Sequence, residues 1–260
     1  MGQLEEIAFE NQSPQIKKHV VNYWTKRAES FFDLRKEELS SRKAVDWINE
    51  IENKLQGLIS ERGKNLSVLD VGCGAGFFEI LLGNRGFIVT GIDLTLEMVV
   101  KANEMIKRSS RNPDNTKALQ MDAEKLDFGD ETFDVVISRN LTWNLPHPVD
   151  AYREWLRVLK KGGILLNFDA EYAKGAHNLK TPENMAHRNI SDEMKDECHR
   201  MYHMLTVSTL NRPEWDCEVL SHLGYEKISA DRDFGDRVYR EIDEFYIPDR
   251  MFLICAGKPY

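Results

Sequence analysis

The segment Val68-Leu69-Asp70-Val71-Gly72-Cys73-Gly74-Ala75-Gly76-Phe77-Phe78 limits what this chain can fold into more than any other stretch. It reads as a short buried strand that breaks at three closely spaced glycines and runs on into a helix. Glycines there let the backbone turn sharply and come close to a ligand, at the point where a helix N-terminus offers unpaired N–H groups. The next strand ends in Gly91-Ile92-Asp93, and Asp93 lies 21 residues beyond Gly72. A carboxylate at that place can accept both hydrogen bonds of a ribose diol. A glycine turn alone is a weak signal; followed by an acidic residue that ends the next strand, it predicts a nucleoside-binding α/β unit.

The surrounding rhythm supports that reading. Ser67–Val71, Phe87–Asp93, Thr116–Met121, Phe133–Ser138 and Gly163–Asp169 read as strands, separated by helices near 75–85, 95–108 and 148–160. Tyr152, Trp155, Leu156 and Leu159 recur at helical spacing, and Lys160-Lys161-Gly162-Gly163 is the stop expected after them. Such alternation predicts a parallel, doubly wound sheet covered on both faces. Before it, Val20, Tyr23, Trp24, Arg27 and Phe31 mark one face of a helix, and Ala44, Trp47, Ile48, Ile51, Leu55 and Leu58 mark a second. After it, 170–212 is polar and rich in His and Met, too long for a plain connection, and reads as a substrate-side insertion, helical over 191–205. A helix from Pro213 to His222 and strands at Tyr225–Ala230 and Arg250–Ala256 complete the chain.

Composition excludes several classes. With 42% apolar residues, 25 aromatics, 16 Gly and 8 Pro in 260 residues, the chain is neither disordered nor collagen-like. No apolar run approaches the roughly 20 residues of a membrane helix. Met1–Glu6 has no apolar segment of a secretory signal, and Glu6 breaks the myristoylation pattern. Four scattered cysteines without a C-x-x-C pair fit a reducing compartment, so a cytoplasmic location is expected. A net charge of −8 argues against nucleic acid as a partner.

Spacing then separates the nucleoside cofactors. The dinucleotide fingerprint G-x-G-x-x-G requires glycine where Phe77 stands, which disfavours an NAD-dependent oxidoreductase. The glycines run G-x-G-x-G after Asp70, and here the sequence resembles the class I S-adenosylmethionine-dependent methyltransferases. Within them it is most similar to the small-molecule branch that includes the ubiquinone/menaquinone-biosynthesis enzymes. The resemblance covers about 66–169. Gln120-Met121-Asp122-Ala123-Glu124-Lys125-Leu126 resembles the adenine-binding motif after strand three, and Asp130–Ser138 the fourth-strand motif. Leu156–Gly163 resembles the motif R-x-L-K-P-G-G, with Lys161 in place of proline.

That resemblance implies a Rossmann-like seven-stranded sheet of order 3-2-1-4-5-7-6 with strand 7 antiparallel. It implies a helical N-terminal lid over 1–63 and a methyltransferase domain over 64–260. Carried over residue by residue, it places Gly72, Gly74 and Gly76 at the methionine portion of S-adenosylmethionine and Asp93 on the ribose, with Asp70 and Cys73 also among the cofactor-binding residues. Leu94 and Met98 would flank the adenine, Asp122, Ala123 and Glu124 would edge it, and Arg139 and Asn140 would stand beside the methionine end. The activity implied is methyl transfer to O, N or C of a small-molecule acceptor, leaving S-adenosylhomocysteine. An RNA-modifying methyltransferase and a cofactor-binding module without catalysis are the alternatives.

Residues beyond the motifs carry two readings each. Either Tyr23 packs on the sheet while Arg27 runs out to water, or both reach the cofactor carboxylate from the lid. His147, Asp169 and Tyr172 follow strands four and five, on the side where open α/β sheets bind ligands, and are the catalytic candidates; solvated loop positions are the plain alternative. Asp196, His199 and His203 have a spacing that could gather a metal, but a solvated helix over a Met-rich wall accounts for them and no metal is assigned. Monomer and homodimer both remain open.

Overall fold

The computed structural model describes residues 3–172 and 176–260, with side chains described from Ser13 onward except at 176 and 177. Two helices open the chain, α1 (Gln3–Leu39) and α2 (Arg42–Arg62). Ser41 caps α2 by accepting from the Lys43 N–H at 3.1 Å, and Gly63, in the left-handed region at φ 82°, closes it. Trp47, Ile48, Ile51, Leu55 and Leu58 are the buried face of α2, as their spacing predicts.

Seven strands follow: β1 (Ser67–Val71), β2 (Ile88–Asp93), β3 (Thr116–Gln120), β4 (Phe133–Arg139), β5 (Leu159–Asp169), β6 (Glu226–Asp231) and β7 (Phe252–Gly257). They form one sheet of order β3-β2-β1-β4-β5-β7-β6, with β7 antiparallel to both neighbours, which is the order the resemblance implies. The helices between them are α3 (Phe77–Gly83), α4 (Leu96–Ser109), α5 (Pro148–Val158), α6 (Asp192–Met204), α7 (Glu214–Leu223) and α8 (Phe234–Val238). One apolar layer joins α2, α3 and α8 to the sheet around Trp47, Phe78 and Phe168. The other joins α5 and α7 around Tyr152, Trp155 and Leu220. Central strands buried on both faces explain why β1 and β4 read as nearly continuous apolar runs.

The end of α5 departs from expectation. The helix stops at Val158, and Lys160-Lys161-Gly162-Gly163 lies inside β5 instead of closing the helix. Edge pairing wins there: the Gly162 N–H donates to Lys258 O at 3.0 Å, and the Lys258 N–H to Gly163 O at 2.9 Å. The Lys160 ammonium turns to Asp134 at 2.9 Å. The negative end of the α5 dipole is met by Lys258, whose Nζ donates to Arg157 O and Leu159 O at 3.2 and 2.7 Å.

Strand order reverses between β1 and β4, which opens a crevice beyond their C-terminal ends. A third apolar cluster roofs that crevice, bringing Ile16, Val20 and Tyr23 of α1 against Trp143, Tyr172 and the α6 residues Cys198, Met201 and Tyr202. Among the described residues, no helix is long and apolar enough to cross a membrane.

Candidate active site

The crevice holds a cavity with about 1410 Å³ of unfilled space, its open mouth included. Its floor is the first part of the glycine turn, Gly72, Cys73 and Gly74; Gly76 lies behind the wall. Gly72, at φ 74°, lies so close to the loop after β4 that a Cβ would meet Leu141 Cδ1 at 2.9 Å. Gly76, at φ 92°, sits against α4, where a Cβ would be 3.1 Å from Ala102 Cα. Both positions favour glycine for their backbone angle, and Gly76 also for its approach to the α4 backbone. The turn is tied to β2 through the Gly72 and Cys73 N–H groups, which donate to Ile92 O at 2.8 and 2.9 Å.

Asp93 ends β2 in the cavity wall. Its Oδ1 accepts from the Thr95 N–H at 2.8 Å and its Oδ2 from the Gly74 N–H at 3.0 Å. Each oxygen keeps a further lone pair, so the carboxylate is oriented by the fold and still able to accept two hydroxyls. Burial pushes its pKa up to about 6, against the pull of those N–H donors. Asp70 also faces the cavity, and beneath it lies Glu79, fully buried in the first turn of α3. Burial raises the pKa of both carboxyls, and the charge of Asp70 raises Glu79 further, so the pair holds a proton near neutrality.

Leu94, Met98, Met121 and Ala123 form an apolar slot beside Asp93, edged by Asp122. Lys17 of α1 donates to Asp122 Oδ2 at 2.6 Å and pairs with Glu124 at 2.5 Å, fastening α1 across the slot. Glu124 is drawn outward by that pair and by the His147 N–H at 2.6 Å, and does not border the cavity.

The remaining candidates separate clearly. Tyr23, Arg139, Asn140 and Tyr172 line the cavity, and Tyr172 donates to Asn140 Oδ1 at 2.8 Å. Asn140 holds φ at 57°, so the chain turns at the end of β4 and aims its side chain back over the site. Arg27 is buried and donates to Ser30 Oγ at 3.1 Å, away from the wall; it does not run out to solvent as a surface arginine would. His147 is also outside the wall, with Nε2 2.9 Å from Ser13 Oγ.

Asp169 does not face the substrate space as expected. It is 0% exposed, accepts from Thr142 Oγ1 and from the Trp143 N–H at 2.9 Å, and pairs with Arg212 at 3.0 Å. The strand end that carries it is sealed by Arg212, the last residue of the segment read as a substrate-side insertion. Asp196, His199 and His203 are not gathered either. Asp196 pairs with Lys180 at 2.6 Å, while the two imidazoles meet edge to face at 4.6 Å.

Several wall residues were missed. Leu34 and Arg35 continue the α1 face one turn past Phe31, so extending the i, i+4 series would have found them. Lys17, His187 and Tyr202 carry no such signal, because their role depends on contacts between distant segments. Burial holds five described wall groups on this side neutral: it raises Tyr23, Tyr172, Tyr202 and Cys198, and lowers His187 to about 3.

Residues 69–167 match the family model described as a methyltransferase domain. Over 97 residues the chain is 43% identical to the phosphatidylethanolamine N-methyltransferase of Cereibacter sphaeroides, covering 37% of this chain and 46% of that one. Over 105 residues it is 41% identical to the 2-methyl-6-phytyl-1,4-hydroquinone methyltransferase of Synechocystis sp., covering 40% and 31%. The chain thus spans less than half the length of these two relatives. The structure of Haemonchus contortus phosphoethanolamine N-methyltransferase 2 in complex with S-adenosyl-L-methionine is similar with a TM-score of 0.54 at 17% identity, covering 80% of this chain and 53% of that one. At that identity the likeness is one of fold. Residues 69–167 thus resemble a methyltransferase domain, and the sheet around them has the order that the resemblance to class I methyltransferases implies.

Proposed function

We propose that the chain transfers a methyl group from S-adenosylmethionine to a small-molecule acceptor in the cytoplasm, with α1 serving as the lid of the site; α2, which the resemblance also gives to the lid, packs in the core layer against the sheet and borders none of the cavity. One observation carries this reading: the glycine turn, Asp93, the apolar slot and Asp122 all border a single cavity at the sheet's switch point. The residues fit the cofactor. Asp93 would take the ribose hydroxyls, Met98 and Leu94 the adenine faces, Asp122 its amino group, and the turn at Gly72 the methionine portion.

When bound, S-adenosylmethionine supplies a methyl already activated on a sulfonium. The protein's own task is then to orient the acceptor and exclude water, and orientation contributes on the order of 7–11 kcal/mol. Tyr23 and Trp143 close the far wall, and Tyr172, locked on Asn140, fixes its shape. With His187 and the tyrosines neutral, the described residues of this wall offer no strong base. It suits a nucleophile that attacks without first losing a proton.

Calorimetric titration of the purified protein with S-adenosylmethionine, S-adenosylhomocysteine and NAD tests the reading. Saturable binding of the two sulfur compounds and none of NAD is expected. Asp93→Ala should weaken S-adenosylhomocysteine at least tenfold, about 1.4 kcal/mol. Tight NAD binding with neither sulfur compound, or unchanged affinity in Asp93→Ala, overturns the assignment.

A further inference from the structure

Beyond the cofactor cavity lies a second chamber with about 690 Å³ of unfilled space, between the end of β4 and the segment 245–251. Arg35, Arg139, Asn140 and Tyr172 border both spaces, whereas the glycine turn and Asp93 border only the first. We propose that Arg35 and Arg139 form a subsite for a carboxylate of the methyl acceptor, whose body is apolar or aromatic and fills this chamber. The inference rests on the methyl-transfer reading above and names the substrate class of that same site.

The charge balance points to it. Arg35 and Arg139 share one buried partner, Glu38, which is 0% exposed. Tyr239 also donates to Glu38 Oε1, at 2.7 Å, and burial keeps that phenol neutral. Among these three side chains two guanidinium groups face one carboxylate, a local surplus of one positive charge. Burying an uncompensated charge is costly, and a bound anion removes that cost.

Donor capacity is left over as well. Arg139 uses Nη2 for Glu38 and Tyr239, and its plane lies over Trp47 and Phe77 at 4.5 and 4.8 Å. Arg35 lies over Phe31 at 4.4 Å and gives Nη1 to Glu38. Its Nε and Nη2 make no hydrogen bond to described residues, and this edge of the guanidinium is the part left for the cavities. Two adjacent N–H donors in one plane match a carboxylate bidentately.

A monoanion fits better than a phosphate. One negative charge cancels the surplus, whereas a dianion would reverse it beside Asp236 and Asp249 of the same chamber. Those two are engaged elsewhere, Asp236 with Arg250 and Asp249 with Asn178. The walls around the arginines are aromatic, with Tyr239, Phe245 and Tyr246 on the chamber side. The amino-acid end of the cofactor also carries a carboxylate, so the test must tell the two sources apart.

Benzoate, phenylacetate and hydrocinnamate, each against its neutral amide, are titrated into the full chain with and without saturating S-adenosylhomocysteine. Inorganic phosphate is run beside them. Binding of at least one carboxylate tenfold more tightly than its amide and than phosphate is expected. Arg35→Met should abolish that preference and Arg35→Lys should retain part of it, with S-adenosylhomocysteine and 5′-methylthioadenosine affinities within twofold of wild type. If no carboxylate outcompetes its amide in the wild-type protein, the proposal is overturned, and that arm needs no variant to fold. If Arg35→Met weakens S-adenosylhomocysteine tenfold but not 5′-methylthioadenosine, which lacks the amino-acid end, the anion is the cofactor's and the acceptor assignment falls. Failure of both nucleosides to bind wild type would instead refute the methyl-transfer reading. The comparison without nucleoside would still decide the subsite.

Discussion

Arg212 is the sharpest test of how the substrate side is held together. Its side chain is 2% exposed and spans two carboxylates, donating to Asp169 Oδ2 at 3.0 Å and to Asp216 Oδ2 and Oδ1 at 2.9 and 2.8 Å. Tyr152 adds a hydrogen bond to Asp216 at 2.7 Å, and Asn167 supports both Tyr152 and Thr142, so the group is a closed buried network. Arg212→Met keeps the volume and removes the one cation, leaving two buried carboxylates without it. Breaking a buried pair in this way costs about 3–5 kcal/mol. At about 2–4 °C per kcal/mol for a domain of this size, the melting midpoint should fall by about 6–20 °C at pH 7. The deficit should shrink on acidification. Burial already raises the Asp169 pKa against the pull of Arg212, and without Arg212 it rises further. A raised carboxyl pKa gives stability that is present below the unfolded value and lost as pH rises through the folded one. Asp169→Asn, which leaves one cation facing one carboxylate, should cost less than Arg212→Met and should recover part of the loss in the double variant. Because Asp169 lies outside the cavity wall, S-adenosylhomocysteine affinity should stay within twofold. Differential scanning calorimetry at pH 5 and pH 7 with parallel binding titrations measures all of this. A fully stable Asp169→Asn protein that binds cofactor normally but has lost methyl transfer would refute the structural role argued here and restore Asp169 as a catalytic group.

Other consequences concern the cofactor floor. Burial raises the pKa of Asp93 to about 6 and that of the Asp70–Glu79 pair as well, so this stability is complete below about pH 4 and lost as pH rises through 6 and beyond. Glu38 and Asp134 behave oppositely: burial raises them, but their basic and hydroxyl partners outweigh it and hold both near 2, so their contribution is lost only as pH falls toward that value. The melting midpoint of the ligand-free protein should therefore decline from pH 5 to pH 9. Glu79→Gln should raise the midpoint at pH 9 and leave pH 5 nearly unchanged; equal shifts at both would contradict the pair. A Cβ at Gly91 would stand 1.9 Å from Glu79 Oε1 and 2.8 Å from Cys73 Cβ. Gly91→Ala should then cost about 1–3 kcal/mol by overpacking, and Glu79→Ala in the same chain should relieve part of it. Additive losses in the double variant, read by urea denaturation, would show that the clash is not with Glu79.

The cofactor half of the site was legible because its chemistry is local in sequence. Between Val68 and Asp93 the strand, the turn, the helix start and the carboxylate follow one another. Each position is specified by a rule that needs only its neighbours: glycine at φ 74° in Gly72, an acid at the end of β2. The β5 boundary failed for the opposite reason. Lys160-Lys161-Gly162-Gly163 carries every mark of a helix stop, yet its hydrogen bonds go to Lys258 and Pro259, nearly a hundred residues away. Asp169 was misread in the same way, since nothing near it in sequence announces Arg212.

The acceptor half obeys that second logic throughout, which is why its residues read ambiguously one at a time. Lys17 means nothing until Asp122 and Glu124 arrive from β3's far end, and Arg35 looks like an ordinary helix-surface cation until Glu38 and Arg139 close around it. A surface arginine would be hydrated and its charge unremarkable. Placed under the roof made by α1, Trp143 and α6, the same side chain loses water and gains a like-charged neighbour. Burial first, and Arg139 second, then lower its pKa. The α1 helix therefore does more than cover the crevice: it carries Arg35 to the border of both cavities, beside Glu38 and Arg139, where the proposed carboxylate subsite would lie.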